Sequence, residues 1–574
     1  MTREVRLACS LLAWAFLSAC QGPDGADLVV RGARVFTADS LQPDAEAFAV
    51  TAGTLTYVGT DSGVADLIGR DTRVVDARGR LITPGFHDTH VHLLQAAAER
   101  EWCYLDEPET LEATVASLMA CAEESRGPWL LANDLNPDVF PPNGPPRGFL
   151  DGIEEERPVW VSKAGGHEAY VNQIVLELAG VDSSTPDPPN GTIVRDETGR
   201  PTGTLRGAAT TMVENRLTDI WPEPTPEDVE EWLVEELEAA ARLGITSVQE
   251  IPGFGTDIAS VYDRVLDPGA GLPRIRFAQR IFAYGEEAVD AAARIEQAIE
   301  VAEQMEARGI RADVVKLFVD GDFPPQTAAL TEPYTSPQEP GWRGAPYFSQ
   351  EELNDIAARV DAAGLQLHFH AIGDRAVRMS LDAIEYARSV NGVRDARHQI
   401  THLHLTGSED LYRFAELGVL ANVQPIFADN HSYNTVLTRD LLGPERNGQM
   451  HRFRDLLDAG ADLVVSSDYP MILLEPLETI QTALTRRMPG SAEAAFNPEQ
   501  RLSLDEVLRA YTLRGAFANF LARESGSLEV GKSADFVMFD RDLFEVAPDS
   551  VIDVRVVWTV IRGREVYFEP DGGA

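Results

Sequence analysis

Eleven histidines occur in the 574 residues, and six of them form three His-x-His pairs: His90 and His92, His368 and His370, His402 and His404. On an extended strand, residues two apart share a face, so each pair can direct two imidazole nitrogens to a point about 2 Å from one cation. One such pair is weak evidence. Asp468 follows the apolar run 463–467, and Lys316 lies within the run 314–318. Five strand-like segments thus carry a ligand-type residue at or near their C-terminal ends, where barrel enzymes build their chemistry. Divalent metal bound to histidine and carboxylate serves hydrolysis, by activating water and polarising a carbonyl. Lysine is nearly absent, with Lys163, Lys316 and Lys532 the only three, so a lysine inside one of these runs calls for an explanation.

Such residues need a scaffold that brings strand ends together. Short apolar strands over 245–248, 314–319, 365–370, 399–402, 420–424 and 463–467 alternate with helical periodicity over 230–243, 286–308, 350–363 and 408–417. That alternation predicts parallel βαβ units, most economically a (β/α)8 TIM barrel over 84–522. Residues 27–83 instead read as short β-branched runs broken by Gly32, Gly53, Gly59 and Gly79, and 523–572 repeat the style. The two ends are expected to meet in a small β-sandwich beside the barrel. Residues 102–215 fit the alternation poorly and are rich in Pro and Gly, as in 141–146 and 186–191. They read as a subdomain inserted after the first strand, over the catalytic face.

The N-terminus reads as an address. Arg3 and Arg6 precede an apolar run over 7–17 and then Leu17-Ser18-Ala19-Cys20, the order of a secretory signal. A cysteine directly after Leu-Ser-Ala resembles the bacterial lipobox, which implies removal of 1–19, lipid on Cys20, and residues 20–26 as a tether. The expected location is the bacterial cell envelope, periplasmic side or outer membrane, with the lipid as the only membrane contact. Cys9 leaves with the signal, so Cys103 and Cys121 remain as a candidate disulfide in an oxidising compartment. Composition is that of a soluble body, 44% hydrophobic and 25% charged. A net charge of −43 repels a phosphate backbone and argues against nucleic acid as a partner.

The ordered motifs TPGFHDTHVH, VKLFVDG, HFHAIGDRAV, THLH, VVSSDYP, YTLRGAFA and GSLEVGKSADFVMFD resemble the amidohydrolase superfamily, in the branch of amidohydrolase family 3 that includes N-substituted formamide deformylases. The resemblance covers essentially everything after the tether. It implies a distorted (β/α)8 barrel with metal at its mouth, and an enzyme that hydrolyses an amide-type, non-peptide C–N bond of a small molecule. Carried over by motif, His90, His92, His370, His402 and Asp468 are metal-ligand candidates. Lys316 matches a strand-four lysine that in several branches carries CO2 as a carbamate bridging two metals. One or two Zn ions are the expected cofactor, although His/carboxylate sites also accept Mn, Fe or Co. Asp468 is the implied acid–base group. His167, in Gly166-His167, is a second catalytic candidate facing the substrate carbonyl. His368, His404 and His87 read as neighbours of ligands, and Lys163 as a candidate for holding an anionic substrate group. Departures from the family pattern are Gln249-Glu250 where Val-His-Asp is common, 322–327, and Thr401 before His402. Ester, lactone or phosphoester hydrolysis, or a binding lipoprotein on a retired barrel, stay open at this point, as do the substrate and the oligomeric state.

Overall fold

The computed structural model describes residues 25–569, except 101, 106–109, 134, 137–138, 142, 164–167, 190, 219, 222–224, 253–270, 283–289 and 336–339. Eight strands, all parallel, form one sheet in sequential order: β1 Phe86–Val91, β2 Ile245–Glu250, β3 Arg274–Arg280, β4 Arg311–Phe318, β5 Gln366–Ala371, β6 Gln399–His402, β7 Leu420–Val423 and β8 Asp462–Val465. β1, β2, β5, β6 and β7 are buried along their whole length, as expected for parallel strands covered on both faces. Just beyond β8 the chain returns to β1: Asp468 N–H donates to His90 O at 2.9 Å and His92 N–H donates to Tyr469 O at 2.7 Å. The sheet therefore closes into a barrel at the residues expected to bind metal.

Helices between the strands start where local chemistry dictates. Thr225 and Asp228 form a reciprocal cap on the helix Pro226–Arg242, and Ser349 and Glu352 do the same for Gln350–Ala362. Each cap satisfies backbone N–H groups that a helix leaves unpaired. The apolar faces of these helices pack on the strands in the largest core, which includes Leu233, Leu237, Leu353, Ile356 and Val360.

The two chain ends meet as expected. One sheet has the order Thr54–Gly59, Ala47–Thr51, Leu28–Arg31, Arg73–Asp76. The other runs Arg564–Phe568, Val556–Ile561, Phe536–Phe539, Leu81–Pro84, Arg34–Phe36, Asp44–Ala45, so strands from both termini share it. Phe536 joins Phe48 and Trp558 in edge-to-face contacts at 4.9 Å, filling the space between the sheets. The strand Leu81–Pro84 passes into β1 through Gly85. A Cβ there would lie 2.2 Å from the Thr246 side chain on β2, so only glycine fits.

Two features depart from the sequence reading. β3 was not anticipated, because Arg274, Arg276 and Arg280 interrupt its apolar pattern. The inserted segment holds more order than its Pro- and Gly-rich turns suggest. It contains a six-stranded sheet in the order Gly191–Arg195, Pro201–Gly207, Glu168–Val171, Val159–Ser162, Leu130–Asn133, Cys103–Tyr104. Cys103 and Cys121 are joined as a disulfide, with Cα atoms 5.9 Å apart, tying its edge strand to the helix Leu111–Glu124. Among the described residues no helix is long and apolar enough to cross a membrane.

Candidate metal centre

At the C-terminal end of the barrel three lone-pair-bearing atoms converge. Asp468 Oδ1 lies 3.1 Å from His90 Nε2 and 3.3 Å from His92 Nε2. The far ring nitrogens have their own partners, His92 Nδ1 on Ile251 O at 2.7 Å and His90 Nδ1 on His368 Nε2 at 2.8 Å. Since a carbonyl only accepts, the His92 proton sits on Nδ1 and its Nε2 lone pair faces the carboxylate. Two imidazole lone pairs and an anionic oxygen repel one another unless a cation lies between them. The donor set therefore fits a divalent metal, and the hydrogen bonds behind it are of the kind that orient metal-ligating histidines. These three form the one cluster of potential ligands among the described residues whose donor atoms all approach within 4.8 Å of one another.

The other candidates surround this nucleus. Lys316 Nζ is 3.3 Å from His90 Nε2. His402 Nδ1 is 3.9 Å from Asp468 Oδ2 and 3.2 Å from Gln424 Oε1. The His370 ring lies 4.5 Å from that of His402, and His370 Nδ1 is 3.5 Å from Asp320 Oδ1. Register explains the grouping, because β4 and β5 pair Lys316 with His368 and Phe318 with His370. Two of these residues hold left-handed backbone conformations, His402 at φ 76° and Asp468 at φ 63°. A non-glycine residue there costs on the order of 1–3 kcal/mol, and such strain collects at functional sites.

Electrostatics follow from burial. His90, His368 and His402 have pKa values well below the ordinary imidazole range, because burial penalises the charged ring and neighbouring cationic groups add to the effect. They are neutral and available as ligands. Burial pushes the Lys316 ammonium down to about 7, against the pull of Asp468. Burial alone would raise Asp468, but His402, His92 and Lys316 together hold it at about 2, so it is ionised.

Of the remaining sequence candidates, His368 contacts His90 and Gln249 (Nδ1 to Nε2 3.4 Å) rather than the carboxylate. His87 points to the other face of β1 and bonds Ser525 Oγ at 3.2 Å. His404 stands beside His402 and packs on His451, ring centroids 4.6 Å apart. Lys163 follows the strand Val159–Ser162, its N–H donating to Glu168 O at 3.0 Å. His167 and Cys20 lie outside the described residues.

Several supporting groups went unread in the sequence. Glu250, at the end of β2, accepts from Leu93 N–H at 2.8 Å and Leu94 N–H at 3.1 Å, anchoring the helix that begins directly after His92. Asp320 accepts from the N–H groups of Ala329, Ile372 and Gly373 at 2.8 to 3.0 Å and stands against His370. Asp88 accepts from Ser467 N–H at 3.1 Å, joining the segment before Asp468 to β1. Below the histidines, Gln249, Gln399, Asn422, Gln424 and Ser466 form a chain of amide and hydroxyl bonds. The available signal was parity: Gln366 shares a strand face with His368 and His370.

Comparison with known proteins agrees with this architecture. The chain is 30% identical over 568 residues to Protein LONG AFTER FAR-RED 3 of Arabidopsis thaliana, covering 97% of this chain and 94% of that one. It is 27% identical to the N-substituted formamide deformylase of Arthrobacter pascens over 550 residues, 94% of this chain and 97% of the relative. Among solved structures, an uncharacterized metal-dependent hydrolase from Pyrococcus horikoshii superposes with a TM-score of 0.68 at 23% identity, covering 91% of this chain and 99% of that chain. One from Pyrococcus furiosus gives 0.66 at 24%, covering 90% and 99%. The model of the amidohydrolase family matches residues 73–567, which take in the whole barrel and the later strands of the sheet domain, and to that family the chain belongs.

Proposed function

We propose that this chain is a metal-dependent hydrolase of an amide-type, non-peptide C–N bond in a small molecule, working at the barrel mouth. The observation that carries this reading is the convergence of His90 Nε2, His92 Nε2 and Asp468 Oδ1. Zinc is the leading metal, with Lys316, His370 and His402 completing the set, and with Lys316 as a carbamate where two ions are held. The formamide deformylase relative supports the bond type.

A bound divalent cation supplies Lewis acidity, lowering the cost of forming a nucleophile from water and of charging the scissile carbonyl. The chain's own residues do the rest. Asp468 turns Oδ1 toward His90 and His92, while Oδ2 has, among the described residues, only His402 at 3.9 Å, so Oδ2 is placed to take the proton from water and pass it to the leaving nitrogen. Gln424 holds His402 in place, and Asp320 stands 3.5 Å from His370 Nδ1. His167 is assigned as donor to the substrate carbonyl, and Lys163 as a contact for an anionic substrate group.

The experiment is metal analysis of purified protein joined to a screen of N-acyl and N-formyl amines. Turnover that disappears on exhaustive chelation and returns with metal supports the reading; turnover unaffected by chelation rejects it. The proposal includes lipidation at Cys20 and residence at the cell envelope. Labelled fatty acid should enter wild type and not Cys20→Ser, and an unlipidated N-terminus elsewhere would overturn that part.

A further inference from the structure

Three arginines lie on β3 at even positions, so strand alternation places Arg274, Arg276 and Arg280 on one face. Their surroundings differ sharply. Arg276, at the bottom, is saturated: Nε bonds Asp313 Oδ1 at 2.7 Å, and Nη1 bonds Gln366 Oε1 at 2.8 Å and Ala518 O at 3.0 Å. Arg280, at the catalytic end, has no hydrogen bond or ion pair among the described residues, and its Nε is buried without a partner. Its guanidinium rests on the Phe318 ring at 5.0 Å. Lys316 Nζ lies 4.9 Å from the centroid of that ring, and His370 packs against it at 4.9 Å. In register, Arg280 stands opposite Lys316.

Among the described residues Arg280 makes no direct ion pair, although the chain has 92 acidic residues against 49 basic ones. Arg274, on the same strand, pairs with Asp535 at 2.8 Å. The acid whose charge acts on Arg280 is Glu214, from the inserted helix Ala208–Leu217, and no ion pair joins them. Removing a guanidinium from water without a paired anion is costly, and its planar fork matches a carboxylate in two parallel bonds.

We propose that Arg280 is a substrate-recognition residue that pairs with a carboxylate on the substrate, so that the preferred substrates are anionic amides of the N-acyl amino acid class. This rests on the hydrolase reading and deepens it. The Phe318 ring fixes the guanidinium within one substrate length of His370 and Lys316, so an amide held by its carboxylate at Arg280 reaches the metal ligands with its carbonyl.

The test pairs each N-formyl or N-acetyl amino acid with the same N-acyl amine lacking the carboxylate. In metal-loaded wild type, kcat/KM should favour the anionic member. Arg280→Met should lower the anionic-to-neutral ratio about 10- to 100-fold, mainly through KM, with metal content retained, and Arg280→Lys should recover part of it. Thermal melts of both variants check folding. N-Acetylglycine binding to Asp468→Asn, with and without Arg280→Met, provides a readout independent of turnover. Turnover of both classes with no effect of Arg280 on the ratio overturns the subsite and leaves the hydrolase reading standing. Arg280-dependent binding with no turnover in any member supports the subsite and counts against the hydrolase reading. Neither binding nor turnover overturns the subsite.

Discussion

His90 on β1 and His368 on β5 share a 2.8 Å hydrogen bond across the barrel, Nδ1 to Nε2. This bond fixes the rotation of the His90 ring and turns its Nε2 toward Asp468. His368→Phe should therefore weaken metal binding by about 10- to 100-fold, the usual effect of losing a ligand's orienting partner. Competition with a chelator measures it, and an unchanged affinity would mean that His368 merely fills space.

Asp468 is ionised and touches two histidines through one oxygen. Asp468→Asn keeps the shape and an acceptor oxygen but removes the proton-accepting charge. Turnover should fall by about two to four orders of magnitude while much of the metal remains. Near wild-type kcat in that variant would exclude Asp468 as the base.

Lys316, buried against His90, would be an ammonium repelling any dication in the site. Carboxylation by CO2 reverses that sign. Lys316→Ala should reduce bound metal from about two ions per chain and nearly abolish activity, and short carboxylic acids should restore part of both by occupying the vacated space. Full metal content and turnover in the variant would remove the bridging role.

How far the sequence could be read depended on the kind of constraint. The strands carrying Lys316, His370, His402 and Asp468 were legible because short apolar runs hold a ligand-type residue within them or at their ends. β3 was not, since Arg276 is tolerable in a buried strand only because Asp313 and Gln366, distant in sequence, pair with it. The division of labour within the pairs His368/His370 and His402/His404 came from the family resemblance and not from spacing. Parity directs His368 and His370 to the same face, and only the three-dimensional register gives one to His90 and the other to His402. The roles of Glu250 and Asp320 depend on backbone N–H groups of segments distant in sequence, Leu93 and Leu94 for Glu250 and Ile372 and Gly373 for Asp320.

His87 supplies a pH signature of the fold itself. Burial, reinforced by Arg274 and opposed by Asp535, lowers its pKa to about 3. The folded chain keeps it neutral, whereas the unfolded chain takes up the proton below about 6.5. Its contribution is thus fully present above pH ~6.5 and lost as pH falls toward 3. The stability of wild type relative to His87→Gln should decline by about 1.4 kcal/mol per pH unit across that window. Parallel denaturation curves at pH 7 and pH 5 measure this, and a pH-independent difference would show that His87 is not held neutral.

The central claim is that a metal sits among His90, His92 and Asp468. Diffraction from metal-loaded crystals, recorded on both sides of the absorption edge of the bound element, tests it most directly. The account predicts an anomalous peak at bonding distance, about 2.0–2.2 Å for zinc, from His90 Nε2, His92 Nε2 and Asp468. A catalytically competent crystal with no peak there, or with its metal bound elsewhere, would contradict it.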